Sequence, residues 1–366
     1  MKKKILFVIH ELTIGGAQRV TVNLVNAFDL TDYDVHLCVF KNKEQLKKNV
    51  SNNVFFHDLN SKRVLGGTFS LFKLLVKLKP SVVFSSITHV NLLISLIIPL
   101  AKPFLKKTIF VAREVNNPSV RSRFLKTSKN IDFLYKKSIL NFHLIIAQSN
   151  YMRNDILNSY DIEGDKVIVV NNPLDFKGLI LKSKQPLETS FRIKGKLNIT
   201  AVGNLRVQKG LDLLLNIVEK LDDKFHVNII GEGSERRKLE RLIFEKNIGD
   251  KVTLHGEKRN PYNFMFNSDL IVLCSRYEGF PNVILEANAC SKYVIAYKVP
   301  GVNEEIIKEG INGTLVNFED EIDFSEKIKM FKEMNIDAKL IRKSIAKYDS
   351  KSIVKKYIEI FDLIKI

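Results

Sequence analysis

The sequence predicts an α/β fold built from two consecutive doubly wound domains with parallel sheets. Three observations carry this. Short continuous apolar runs recur along the chain, several closing on a glycine turn followed by helical spacing. The pattern dissolves over residues 174–196 and then begins again. Finally, 366 residues are more than one hydrophobic core ordinarily supports.

Taken in order, "KKILFVIHEL" is a short apolar run that leads to Gly15-Gly16, after which "AQRVTVNLVNAF" places Val20, Leu24 and Phe28 at helical spacing. Three lysines at the start resemble a signal peptide. The apolar core is only Ile5 to Ile9, however, and no small-residue cleavage site follows, so a first buried strand fits better. "DVHLCVF" (34–40), "SVVFSS" (81–86), "TIFVARE" (108–114) and "LIIAQS" (144–149) read as further buried strands of a parallel sheet. "VNLLISLIIPLA" (90–101) is too short to cross a bilayer core, which takes about 20 residues, and reads as a buried or interfacial helix. The polar, lysine-rich stretch 176–196 is expected to be a linker between a first domain, 1–175, and a second, 197–349. There "LNITAVGNL" runs into the helix "LDLLLNIVEKL", "FHVNIIGEG" into "SERRKLERLIFEKN", and "KVTLHGE" and "DLIVLCS" follow at similar intervals. The last segment, 350–366, is an amphipathic helix that either caps the second domain or crosses back onto the first.

Composition narrows the function. The hydrophobic fraction of 45% and charged fraction of 27% are those of a folded globular protein. The net charge of +18 is unevenly placed: residues 1–185 hold 28 basic and 13 acidic residues, the remainder 30 and 27. That asymmetry points to a polyanionic partner for the first half or to a solvated basic face. Lys106, Lys107, Arg121, Arg123, Lys126 and Lys129 near the apolar run tip the choice from nucleic acid to an anionic membrane surface. No aromatic and basic interleaving or binding module supports a nucleic-acid partner. Cys38, Cys274 and Cys290 are too widely spaced for a disulfide framework or a metal quartet, and a reducing cytoplasm is expected. "GGAQRV" is not the glycine fingerprint a dehydrogenase needs.

Three motifs could carry chemistry at the carboxyl ends of strands, where open α/β sheets bind ligands. "GNLRVQKG" (203–210) begins at Gly203 and offers Arg206 and Lys209 beside backbone N–H groups, an anion site suited to a diphosphate; alone, it reads equally as an exposed loop's ordinary charges. In "GEGSER", Gly231 and Gly233 let a backbone approach a base or ribose closely, and by itself the motif reads as a plain turn. "SRYEGFPNVILEANA" (275–289) is more specific. Glu278 hangs in the loop after a buried strand, Pro281 suits the first turn of the next helix, and Glu286 lies about one turn inside it. Both carboxylates can accept from hydroxyls of one ligand; a helix-start acid facing the macrodipole is the alternative for Glu286.

Together, and with "NNP" (171–173) and "PGVNEEIIKEGINGTLV" (300–316), these motifs resemble the retaining nucleotide-sugar glycosyltransferases of family 4 over essentially the whole chain. The resemblance implies the GT-B fold, two facing Rossmann-like domains with the donor in the second, the acceptor in the first, and the final helix crossing back. It implies Arg206 and Lys209 on the donor diphosphate, Glu278 on the transferred sugar and Glu286 on the ribose. Gly15 and Gly16 would meet the donor phosphate, and Gly279, Phe280, Pro281, Asn282 and Val283 would form the loop beneath sugar and diphosphate. The histidine that many members place after the fourth apolar strand is absent, leaving Arg113, Glu114 and Asn116 as polar candidates on the acceptor side. The implied activity moves a hexose or N-acetylhexosamine, expected from a UDP-sugar, to a lipid-linked polyprenyl-diphosphate glycan in bacterial capsule, O-antigen or related assembly, with neither metal nor cofactor. The expected location is peripheral, at the inner face of the cytoplasmic membrane. A sugar-nucleotide epimerase on the same fold and a non-enzymatic nucleic-acid binder are the competing readings.

Overall fold

The computed structural model describes residues 2–13, 15–41, 45–124, 129–187, 191–302 and 305–364, without the side chains of 122–124 and 129. Lys126 and the side chains of Arg123 and Lys129 therefore lie outside the described residues. The chain divides into two compact units, Met1–Leu174 with Tyr348–Ile366, and Asp175–Lys347.

The first unit runs β1 (Lys3–Glu11), α1 (Gly16–Ala27), β2 (Tyr33–Lys41), β3 (Phe55–Asp58), α2 (Thr68–Leu78), β4 (Val82–Ser86) and α3 (Thr88–Ala101). It continues with β5 (Ile109–Arg113), α4 (Pro118–Phe124), α5 (Lys129–Ser138), β6 (Leu144–Ala147), α6 (Asn150–Ser159) and β7 (Val167–Val169). Its seven strands are all parallel, in the order β3-β2-β1-β4-β5-β6-β7. Successive side chains of β1 point to opposite faces, so Ile5, Phe7 and Ile9 pack with α1 residues Val20 and Leu24, while Leu6 and Val8 pack with Leu71, Leu75 and Ile94 of α2 and α3. Burial on both faces explains why these strands read as continuous apolar runs.

The second unit contains α7 (Phe176–Ser183), β8 (Leu197–Val202), α8 (Leu211–Glu219), β9 (Phe225–Ile230), α9 (Arg236–Glu245), β10 (Val252–Leu254) and α10 (Pro261–Asn267). Then follow β11 (Leu270–Leu273), α11 (Asn282–Ala289), β12 (Val294–Lys298), β13 (Gly313–Asn317), α12 (Glu321–Met330) and α13 (Ala338–Ser344). The parallel sheet has the order β10-β9-β8-β11-β12-β13. Residues 176–196, expected as a linker, instead begin with α7, which Asp175 caps by accepting from the Gly178 N–H and which packs on α10 and α11. The final helix, α14 (Ser350–Leu363), belongs to the first unit, where Ile353, Val354, Tyr357 and Phe361 join the core beside α1. The returning chain is tied to the departing one: Leu174 N–H donates to Tyr348 O at 2.8 Å and Ser350 N–H to Leu174 O at 3.0 Å.

Among the described residues no helix is long and apolar enough to cross a membrane; "VNLLISLIIPLA" lies in α3 with one side buried. The three cysteines are free and buried.

One edge of the first sheet carries a pH-sensitive pair. His36 on β2 is 6% exposed, its Nδ1 lies 2.9 Å from His57 Nε2 on β3, and its ring stacks on Phe55. Burial, then the neighbouring His57, outweighs Asp34 and pushes His36 down to about 4; Lys4 acts in the same direction. The unfolded chain therefore takes up a proton near pH 6.5 that the folded chain refuses, so stability is present above that pH and is lost as pH falls toward 4. Urea unfolding should show a loss of about 2 kcal/mol between pH 7.5 and 5 from this group. His36→Phe should flatten that part of the pH dependence, and an unchanged slope would contradict the assignment.

Candidate active site

In the second unit three loops at the carboxyl edge of the sheet are locked together, and glycines make the closeness possible. A Cβ on Gly231 would lie 1.9 Å from Gly203 O, one on Gly233 2.3 Å from Leu205 O, and one on Gly210 2.0 Å from Cys274 O. Gly203 N–H donates to Ile230 O at 3.0 Å, Leu205 N–H to Glu232 O at 2.9 Å, and Arg276 N–H to Gln208 O at 2.8 Å. The loops after β8, β9 and β11 are thereby one rigid rim at the point where the strand order reverses between β8 and β11.

On this rim Lys209 and Glu278, 69 residues apart, meet: Lys209 Nζ lies 2.6 Å from Glu278 Oε1, and Ser275 Oγ donates to the same oxygen at 2.7 Å. The carboxylate is almost buried, its side chain 8% exposed, and its backbone N–H is fixed on Pro300 O. Gly301, at φ 84°, packs against Glu278 O. Arg206 is exposed and begins the short turn Val207–Lys209, making no ion pair with a described residue. Arg276 explains how that turn holds its shape: it forms a two-pronged pair with Asp212, at 2.9 Å for each contact, and donates to Val207 O at 2.8 Å. An exposed cation beside a second, half-buried one is an arrangement that suits a dianion, with the side chains as its donors, since the N–H groups of Gly203, Leu205, Arg206, Lys209 and Gly210 already donate to backbone carbonyls.

Pro281 sits immediately before α11, one position earlier than its expected place in the first turn. Gly279, Phe280 and Pro281 are buried; Asn282 N–H donates to Phe280 O at 3.0 Å and Pro281 has no N–H, so neither offers a backbone donor, while Val283 lies in the first turn. Glu286 is half-buried on α11 and accepts from Tyr262 Oη at 3.2 Å. Neither Tyr262 nor Ser275 is given a role by the sequence alone: Tyr262 stands in no motif, and Ser275, although it opens the acid-pair stretch, carries no signal that it bonds Glu278.

The first unit's residues are placed differently. Gly15 is the extended residue before α1, and Gly16 opens the helix; α1 has no acid in its first turn and no side-chain cap. Arg113 and Glu114, the acceptor-side candidates, are buried at 1% exposure each. Arg113 donates to Ser86 Oγ at 3.1 Å and to Asn172 Oδ1, tying β5 to β4 and to the "NNP" segment. Glu114 accepts from Tyr135 Oη, and burial pushes its carboxyl above the ordinary range. Both are thus tied into a buried network, and of the three only Asn116 is half-open.

Two histidines occupy the corresponding edge instead. His10 is the last but one residue of β1 and His89 the second of α3, just after β4; β1 and β4 are the adjacent strands between which this sheet reverses order, and the two rings meet edge-on with centroids 5.1 Å apart. Burial, then His10, holds His89 below the ordinary histidine range. Ile87, which leads into α3, adopts φ 84°, a strained value for a β-branched residue. A histidine at each strand end was the available sequence signal.

Residues 14–177 match the model for Glycosyltransferase Family 4, and residues 184–348 the model for Glycosyl transferases group 1. An uncharacterized glycosyltransferase of Methanocaldococcus jannaschii is 28% identical over 257 residues, 68% of this chain and 63% of that protein. The N-acetylgalactosamine-N,N'-diacetylbacillosaminyl-diphospho-undecaprenol 4-alpha-N-acetylgalactosaminyltransferase of Campylobacter jejuni is 29% identical over 241 residues, 64% of this chain and 63% of that protein. The match thus spans somewhat less than two thirds of each of these relatives. Among solved structures, HepE of Anabaena in complex with UDP and glucose superposes with a TM-score of 0.82 over 99% of this chain and all of that one, at 16% identity, which speaks for the fold alone. With one model matching residues 14–177 and the other residues 184–348, the protein belongs to the family 4, group 1 glycosyltransferases.

Proposed function

We propose that the chain is a retaining glycosyltransferase that moves a hexose or N-acetylhexosamine from a UDP-sugar to a polyprenyl-diphosphate-linked glycan, peripherally, at the inner face of the cytoplasmic membrane. The observation that carries this reading is the Lys209 and Glu278 pair beside exposed Arg206 on the locked rim. The acceptor class is supported by the C. jejuni relative, whose name specifies an undecaprenyl-diphosphate-linked substrate. It is supported also by the basic first unit, with 29 Lys and Arg against 15 Asp and Glu over residues 1–174 and 348–366.

As the bond between the anomeric carbon and the diphosphate oxygen breaks, the sugar becomes oxocarbenium-like and the nucleoside diphosphate gains charge. Arg206 and Lys209 stabilise that charge without a metal, Glu278 accepts from a sugar hydroxyl, and Glu286 from the ribose. The acceptor hydroxyl attacks the same face, and its proton passes to the leaving phosphate oxygen. Incubation with a panel of radiolabelled UDP-sugars and membrane lipid extract, followed by NMR of the product anomer, tests the reading. Inversion, or a glycosyl group trapped covalently on a carboxylate, would overturn the mechanism, and conversion of donor alone would favour an epimerase. Glu286→Ala should raise the donor's Kd about tenfold to a hundredfold by titration calorimetry, the range for a hydrogen bond to a charged group. An unchanged Kd would remove Glu286 from the donor site.

A further inference from the structure

Large apolar side chains gather on one outer face of the first unit. α2, α3 and α5 cover the same side of its sheet, with α3 packed against both others. Along α3 and beyond it Leu96, Leu100 and Phe104 point outward at a spacing of four, exposed by 41, 68 and 56%. Phe69 of α2 is 67% exposed, and Phe133 of α5 64%. Phe104 meets Phe72 of α2 edge to face at 6.1 Å, which joins the α2 and α3 parts of the patch. Monomeric proteins rarely leave so many large apolar groups together in water.

Charge decides what covers them. From residue 59 to residue 112 the chain has eight Lys or Arg and not one Asp or Glu. Lys73, Lys102 and Lys106 are exposed among the apolar groups, and Lys73 Nζ lies over the Phe69 ring at 4.4 Å. The acid that α5 brings, Asp132, is already paired with Arg121 at 2.7 Å and Lys136 at 3.6 Å. A second copy of this face would set lysines against lysines, whereas an anionic bilayer accepts both the rings and the ammonium groups at its headgroup level.

We infer that the α2, α3 and α5 face is the surface by which the protein docks on an anionic membrane, with Leu100 and Phe104 entering the interface and Lys73, Lys102 and Lys106 at the headgroups. This rests on the proposed peripheral location and specifies the face that serves it. The helix of α3 is anchored by its buried side, Val90, Ile94, Ile97 and Ile98, so docking leaves the sheet unchanged.

The chain contains no tryptophan, so Phe104→Trp supplies a single fluorophore at the centre of the face. With vesicles of phosphatidylglycerol and phosphatidylcholine at equal amounts its emission should shift to the blue and be quenched by brominated lipid. With pure phosphatidylcholine, or at high salt, the shift should be lost. Leu100→Glu should weaken partitioning about tenfold, and Lys102→Gln with Lys106→Gln about thirtyfold. Both should unfold normally and keep their rate on a water-soluble acceptor. No shift with anionic vesicles, equal binding to neutral ones, or a Leu100-dependent self-association in sedimentation would overturn the inference, the last in favour of a second copy. The vesicles hold neither donor nor acceptor. Failure here therefore leaves the proposed transfer standing, and docking without transfer would sink the activity while keeping the surface.

Discussion

Lys209→Ala should lower the single-turnover rate of sugar transfer about a hundredfold to a thousandfold, the scale set by removing one preorganised donor from a developing negative charge. The structure gives this substitution two consequences at once. It deletes the ammonium, and it takes the 2.6 Å pair from the Glu278 carboxylate, 8% exposed, which still accepts from Ser275 Oγ at 2.7 Å. Donor binding should change less than turnover. Lys209→Arg keeps the charge but not the compact ammonium, and should recover part of the rate. A Lys209→Ala enzyme with a near-parental rate would place the charge stabilisation elsewhere on the rim.

What the sequence made legible follows from burial. Strands β1, β2, β4, β5 and β8 are covered on both faces and appear as apolar runs, whereas β3 has both ends exposed and β7 shows only the four-residue run 167–170, too short to stand out. Helix α7 was hidden because its lysines face water while Leu179 and Ser183 are the buried contacts in an eight-residue helix. Glu278 and Glu286 could be placed from one strand, one turn and one helix that are contiguous in the chain. The pairing of Lys209 with Glu278, 69 residues apart, could not, because it depends on β8 and β11 being neighbours in the sheet. The surroundings of Arg113 and Glu114 were illegible for a similar reason: charged residues at a strand end suggest an open edge, and only the tertiary partners Ser86, Asn172 and Tyr135 reveal a buried network.

Gly231→Ala should destabilise the second unit by about 3 to 5 kcal/mol, combining overpacking with backbone strain. Two independent facts make the site intolerant. Its φ of 145° is one that side chains rarely adopt, and the new Cβ would sit 1.9 Å from a backbone carbonyl, Gly203 O, which belongs to the neighbouring loop. A side chain in the way could rotate; a carbonyl at the end of β8 moves only if the rim moves. Gly249→Ala is the matched control, since nothing lies within 4 Å of its Cβ and its φ is not positive, so it should be neutral or slightly stabilising. Urea unfolding of both variants separates two reasons for glycine in "GEGSER". If a ligand's close approach were the whole reason, Gly231→Ala would keep its stability and lose only donor affinity. Loss of stability in the absence of donor would identify the glycine with the contact between loops. Because that contact also sets where Arg206 and Lys209 stand, a milder substitution, Gly203→Ala, whose new Cβ would meet the flexible Lys209 side chain first, at 3.3 Å, should shift rate more than stability.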